Sequence, residues 1–303
     1  MRRTLTPAQY RRVAFWALVS LAAIIVTGAL VRLTGSGLGC SDWPTCEQDE
    51  LVAEFSFHPM VEFVNRLITG LVSIAVILAV LGSWRRVPRR RDLTWLSMGL
   101  VVGVIAQIVL GALVTKTELD PRVVLGHFLL SMVLVANAVV LHHRAGLGDP
   151  PARALPAQWG SRLLVVATAA VIGAGTIVTG SGPHTGSVDE PIDRLPFELR
   201  DVVRVHSVLA WVLLAVAVLV ALGVARDPDA LLGDRRRIET VLGLILVQGL
   251  IGYVQYFAGV PVTLVALHIV GVVALWWAVL SFHLHRRLPL HQTLEPRSEL
   301  VDT

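Results

Sequence analysis

Eight long apolar runs, near residues 12 to 33, 61 to 82, 93 to 115, 122 to 142, 161 to 180, 202 to 223, 237 to 258 and 262 to 285, decide most of what this chain can fold into. Crossing the hydrocarbon core of a bilayer takes roughly 20 apolar residues in a helix, and each run is about that long. Inside the bilayer every backbone N–H and C=O must find a partner within the protein, which favours helices over open strands. With 54% hydrophobic and only 16% charged residues, the chain is also too apolar for a soluble domain of 303 residues. The first run is longer than the apolar stretch of a signal peptide and passes into Arg32 and a Gly-rich loop with no small-residue cleavage pattern, so it is kept as a helix. The expectation is an all-α integral membrane protein with eight transmembrane helices.

Charge gives the orientation, because short loops rich in Lys and Arg stay in the cytoplasm. Arg2, Arg3, Arg11 and Arg12 precede the first run, Arg85, Arg86, Arg89, Arg90 and Arg91 fill the second loop, Arg226 and Arg235 to Arg237 the sixth, and Arg286 and Arg287 follow the last. All fall on one side. The opposite loops are acidic, with Asp42, Glu47, Asp49, Glu50 and Glu54 in the first and Asp189, Glu190 and Asp193 in the fifth. The expectation is a plasma-membrane protein with both termini cytoplasmic. The sequence pI of 9.7 then reports topology rather than a nucleic-acid partner, since the basic residues flank spans instead of forming one stripe. Cys40 and Cys46 lie in the first outer loop, where an oxidising compartment lets a disulfide form. Closing so short a loop contributes about 2 kcal/mol, little for a protein of this size; a local shape or redox role stands beside a plain loop staple.

The chain also repeats itself. Gln107-Ile-Val-Leu-Gly111 returns as Gln248-Gly-Leu-Ile-Gly252, and the same offset of 141 carries His127 onto His268 and Asn65 onto His206. Ile-Val-Thr-Gly at 25 to 28 recurs at 177 to 180, so the first outer loop is 11 residues longer than the fifth. A unit with an even number of spans repeats in the same orientation, giving a pseudo-twofold axis along the membrane normal. Two related four-helix bundles are expected, residues 1–145 and 146–303, each able to hold a cofactor between facing helices.

In each half the equivalent positions are 62 residues apart, near the outer ends of the second and fourth helices. An imidazole from each of two facing helices clamps a heme, because neutral nitrogen ligands suit iron. His206 and His268 fit this pattern as cofactor and iron ligands. His127 is the matching iron ligand of the N-terminal half, where Asn65 replaces the second histidine and leaves one axial position open.

Glu62 has only Val203 opposite it in the repeat and stands three residues before Asn65, on the same helix face. A carboxyl beside a heme pocket moves protons or orients water; the alternative is a solvated acid at a helix end. Arg66 and Arg204 are candidates for heme propionates, with interfacial snorkelling as the competing reading. His58 and His184 are read first as loop residues, and His142, His143, His283, His285 and His291 as solvated at cytoplasmic ends.

These residues resemble the heme A synthase family over nearly the whole chain. The carriers are Thr34-Gly-Ser-Gly-Leu-Gly-Cys40-Ser-Asp-Trp-Pro-Thr-Cys46, Glu62-Phe-Val-Asn65-Arg66-Leu67, Leu125-Gly126-His127, Val178-Thr-Gly-Ser-Gly-Pro-His184, Val205-His206 and Leu267-His268. The resemblance implies oxidation of the C8 methyl of heme O to the formyl of heme A, for cytochrome oxidase assembly. It implies Glu62 as the catalytic acid, His127 with Asn65 and Arg66 in the substrate-heme pocket, His206 and His268 on a resident heme B, and Cys40 with Cys46 as a loop disulfide. The implied partners are heme O, heme O synthase, cytochrome oxidase assembly factors, an electron partner and membrane lipid. Asn65 departs from the family's histidine. The competing functions are a cytochrome b-like electron carrier and a heme transporter or chaperone, which would use the paired histidines but give Glu62 and the longer first loop no task.

Overall fold

A computed structural model describes residues 4–40, 43, 45–46, 52–147, 159–188, 192–228 and 230–285. Its described residues fold into eight helices: α1 (Pro7–Leu33), α2 (Phe57–Arg85), α3 (Arg91–Lys116), α4 (Pro121–Ala145), α5 (Trp159–Ser181), α6 (Leu199–Arg226), α7 (Leu232–Phe257) and α8 (Val262–His285). All eight are long and apolar enough to cross a membrane. His291 and the polar tail lie outside the described residues, as do Arg2, Arg3, Arg286, Arg287, Asp42, Glu47, Asp49, Glu50, Asp189 and Glu190.

Several helices overrun the apolar runs, because hydrophobicity stops where polar residues begin while the backbone ladder continues to a cap. α1 starts at Pro7 behind a capping box in which the Thr6 hydroxyl accepts from the Gln9 N–H and the Gln9 amide oxygen from the Thr6 N–H. α4 starts at Pro121 with the Asp120 carboxylate accepting the Arg122 N–H at 2.8 Å. By the same extension His58 falls in the first turn of α2 and not in a loop, correcting the sequence expectation.

Each half closes on itself. α1 packs on α2, α2 on α3, α3 on α4 and α4 on α1; α5, α6, α7 and α8 form the same ring. Between the rings α4 meets α8, and α1 on α8 mirrors α4 on α5. That is the pattern two bundles related by a twofold between α4 and α8 would make. At this seam Trp276 donates its indole N–H to the Met132 carbonyl at 3.0 Å, and Val273, Trp276 and Leu280 of α8 join the buried core of α1 to α4.

The repeat extends to turn geometry. After α3, Glu118 and Leu119 take positive φ of 51° and 64°; after α7, Gly259 and Val260 take 78° and 60°. The Leu119 N–H bonds the Val114 carbonyl as the Val260 N–H bonds that of Gln255. These pairs keep the offset of 141 that relates the histidines.

The arginine-rich end is stitched rather than merely solvated. Arg86, 1% exposed, donates to the Pro88 and Leu147 carbonyls, and Arg90 pairs with Asp92 at 2.7 Å while donating to the Arg144 carbonyl. The histidines of this end are also less solvated than expected: His283 shares a hydrogen bond with the Ser161 hydroxyl, and His285 lies 3.8 Å from the buried Asp234 carboxylate. His142 and His143 are half-buried in the last turn of α4.

Candidate heme-binding site

Helical spacing puts His58, Glu62, Asn65 and Arg66 on neighbouring turns of α2, where the first long loop folds back on them. Glu62 is 7% exposed and not a solvated helix-end acid. One carboxylate oxygen accepts from the Arg66 guanidinium at 2.6 Å and the other from the Cys40 backbone N–H at 2.9 Å. Arg66 also donates to the Thr45 carbonyl at 2.8 Å. Cys40 and Cys46 are joined by a disulfide and are both buried. The loop thus meets the acid and its arginine at the two ends of the segment that the disulfide closes. A side chain at Gly39 would run into the His58 and Pro59 backbone, so glycine is what lets the loop lie against α2. His58 Nδ1 shares a 2.9 Å hydrogen bond with the buried Ser36 hydroxyl.

Elsewhere in this half, the Asn65 side-chain oxygen and the Thr27 hydroxyl of α1 are 2.8 Å apart. His127, on α4, has its backbone carbonyl bonded by the Gln107 side-chain amide at 3.0 Å, and that amide also reaches the Ser131 hydroxyl at 2.6 Å. His127 Nδ1 is buried with no hydrogen-bond partner among the described residues. A Cβ at Gly111 would lie 3.8 Å from His127 Cε1.

In the other half His206 and His268 face each other with ring centroids 6.3 Å apart and planes 73° apart. His206 Nδ1 lies 3.1 Å from the Val171 carbonyl, which can only accept, so the proton sits on Nδ1 and Nε2 keeps its lone pair. His268 Nδ1 is buried without a hydrogen-bond partner among the described residues. Gly175 of α5 and Gly252 of α7 back the two rings: a Cβ on them would stand 3.1 Å from His206 Cε1 and 3.5 Å from His268 Cε1. Gly252 occupies the repeat position of Gly111.

These residues fit a heme. An imidazole nitrogen binds a first-row metal at about 2 Å, so two rings on opposite faces of one ion have centroids about 6 Å apart, close to the spacing seen. Groups of three or more His, Cys, Asp or Glu that could cage a bare ion are absent among the described residues. A paired-imidazole site suits an iron whose other four ligands come from a macrocycle.

Arg204 is exposed, 3.5 Å from Asp201. His184 lies in the loop after α5, as expected, with Nε2 2.8 Å from the Val260 carbonyl. Sequence reasoning missed Thr27, Ser36, Gln107, Gly175 and Arg32. Gln107 and Thr27 had a signal in the repeats and Ser36 stood in the Thr34 to Cys46 motif of the first outer loop, whereas Gly175 and Arg32 had none.

A sequence model described as cytochrome oxidase assembly protein matches residues 11–53 and 49–280. Among curated relatives, a heme A synthase of Lysinibacillus sphaericus (strain C3-41) is 31% identical over 138 residues, 44% of this chain and 45% of that protein. One of Bacillus mycoides (strain KBAB4) is 31% identical over 124 residues, 41% of this chain and 40% of that protein. One of Alkalihalophilus pseudofirmus is 28% identical over 124 residues, 41% of this chain and 42% of that protein. The matched stretch spans less than half the length of each.

Proposed function

Because the chain belongs to the cytochrome oxidase assembly protein family, we propose that it is a heme A synthase, a membrane oxidoreductase that converts the C8 methyl of heme O to a formyl group. The observation that carries this reading is the asymmetry of the two halves. His206 and His268 face each other as a complete ligand pair, whereas the N-terminal half couples His127 and Asn65 to a buried carboxylate, its arginine and a disulfide-closed loop. An electron carrier would need only the first set.

In this reading residues 146–303 hold a resident heme B, which when bound supplies one-electron transfer, and residues 1–145 hold the substrate. Two successive hydroxylations of the methyl, each adding the oxygen of one water and releasing two protons and two electrons to an external electron partner, give a geminal diol, which loses water to leave the aldehyde. His127 holds the substrate iron. Asn65, whose amide is a poor iron ligand and whose side-chain oxygen is engaged by the Thr27 hydroxyl, would line the substrate pocket without holding the iron. Glu62 takes up or releases a proton: a proton arriving on its Arg66-bound oxygen displaces the guanidinium, which links the acid's charge to Thr45 and the disulfide loop. The basic end faces the cytoplasm, with both termini, and the heme sites lie toward the outer face. Heme O synthase and other assembly factors are natural partners, since a heme this apolar must be handed over within or beside the membrane.

The test is to produce the protein with a source of heme O, extract the hemes and look for the formyl-bearing product. Its appearance supports the synthase; intact protein carrying unchanged heme O overturns it.

A further inference from the structure

Arg32 ends α1 of the N-terminal half, yet its side chain crosses to the other half. Its Nε donates to the His184 carbonyl at 2.8 Å and a terminal nitrogen to the Thr179 carbonyl at 3.1 Å. Both acceptors are neutral, and no ion pair to Arg32 is seen among the described residues. A guanidinium has five N–H donors, so two carbonyls leave it unsatisfied in both hydrogen bonds and charge. Arg32 is half-buried, and a half-buried cation is better matched by an anion than by carbonyls alone.

Its position says which anion. Thr179 lies one helical turn beyond Gly175 on α5, and its hydroxyl bonds the Gly175 carbonyl at 3.0 Å. Gly175 backs the His206 ring. Arg32 therefore bonds the α5 backbone one helical turn, roughly 5 Å along the axis, beyond the glycine that backs His206, toward the acidic end. A heme clamped between His206 and His268 carries two carboxylates on one edge, and a planar fork binds carboxylates bidentately. The other arginines are placed differently: Arg66 is drawn to Glu62 and Arg204 is exposed beside Asp201.

We propose that Arg32 is the propionate anchor of the heme held by His206 and His268, so that the N-terminal half completes the cofactor site of the C-terminal half. This rests on the heme reading above. Gly37, four residues after α1 ends, donates its N–H to the Gly186 carbonyl at 2.8 Å, and Ser36 bridges Ser187, so the two outer loops fix the crossing.

The test compares release of heme B and of its propionate dimethyl ester to apomyoglobin, followed by absorbance, from wild-type protein and Arg32→Gln. In the wild type the ester should leave about tenfold faster than the acid, the scale of one lost charge-assisted hydrogen bond; in Arg32→Gln the two should leave alike. Equal acceleration of acid and ester in the variant would mean that Arg32 only holds the halves together, and no change in either would mean that it does not touch the propionates; both overturn the proposal. If Arg32→Gln does not accumulate, Arg32→Lys keeps the charge without the fork and should narrow the acid-to-ester difference to a few-fold, an undiminished difference overturning the idea. Failure of the heme reading is distinguishable, because wild-type protein would then hold no low-spin heme at all.

Discussion

Glu62 binds through both oxygens, one to a side-chain guanidinium and one to a backbone N–H, and that division predicts how substitutions act. Glutamine keeps the size and can still accept from Cys40, but it neither carries a proton as an acid nor holds Arg66 by charge. Glu62→Gln should lower heme O conversion by about a hundredfold or more, the scale of a lost general acid or base, while the low-spin spectrum of the His206/His268 site stays unchanged. Equal loss of both would show that Glu62 is structural for the whole molecule. Glu62 could be singled out in the sequence because the repeat supplied its own control, Val203 at the matching position. Arg32 had no such signal. An arginine ending an apolar run looks the same whether it snorkels to lipid headgroups or reaches a carbonyl 147 residues away, and only the packing of α1 on the second half decides. Arg66 had the same ambiguity, resolved here toward Glu62.

At the scale of elements, the helices were legible because bilayer thickness sets their length, whereas their ends depend on caps and turns that hydropathy does not weigh. The turns after α3 and α7 are the sharpest case: both take two consecutive left-handed residues, yet the first uses Glu118 and Leu119 and only the second uses a glycine. L-residues pay roughly 1 kcal/mol or more for that conformation. A Cβ at Gly259 would meet nothing within 4 Å, so the cost of Gly259→Ala is purely conformational. It should destabilise the protein by about 1 kcal/mol, read as a lower denaturation midpoint in detergent. Glu118→Gly relieves the same strain but loosens the unfolded chain, and should stay within about 0.5 kcal/mol of wild type. A costless Gly259→Ala would mean that the left-handed turn is not what places α8, and with it His268, against α7.

At the scale of the whole molecule, the duplication puts α4 and α8 side by side, and these two helices carry His127 and His268. The seam between the halves is therefore also a direct protein link between the helices of the two candidate iron sites, and its rigidity should matter to both. The sequence implied paired halves through its offsets, but not which helices would meet, because lipid-facing and partner-facing apolar surfaces have the same composition. Trp276 fills the seam, 8% exposed, with its N–H on the Met132 carbonyl. Removing a large buried aromatic costs about 3 kcal/mol or more, so Trp276→Ala should lower the thermal midpoint at which the low-spin heme bands are lost and, by loosening α4 against α8, slow heme A formation as well. Trp276→Phe keeps most of the packing and loses only the hydrogen bond, about 1 kcal/mol, because the Met132 carbonyl can still accept within its own helix. The order wild type, Phe, Ala in both readouts is the expected result. Two halves that were each stable and active alone would instead give an alanine variant with an unchanged midpoint, and the idea that α4 and α8 couple the sites would fail.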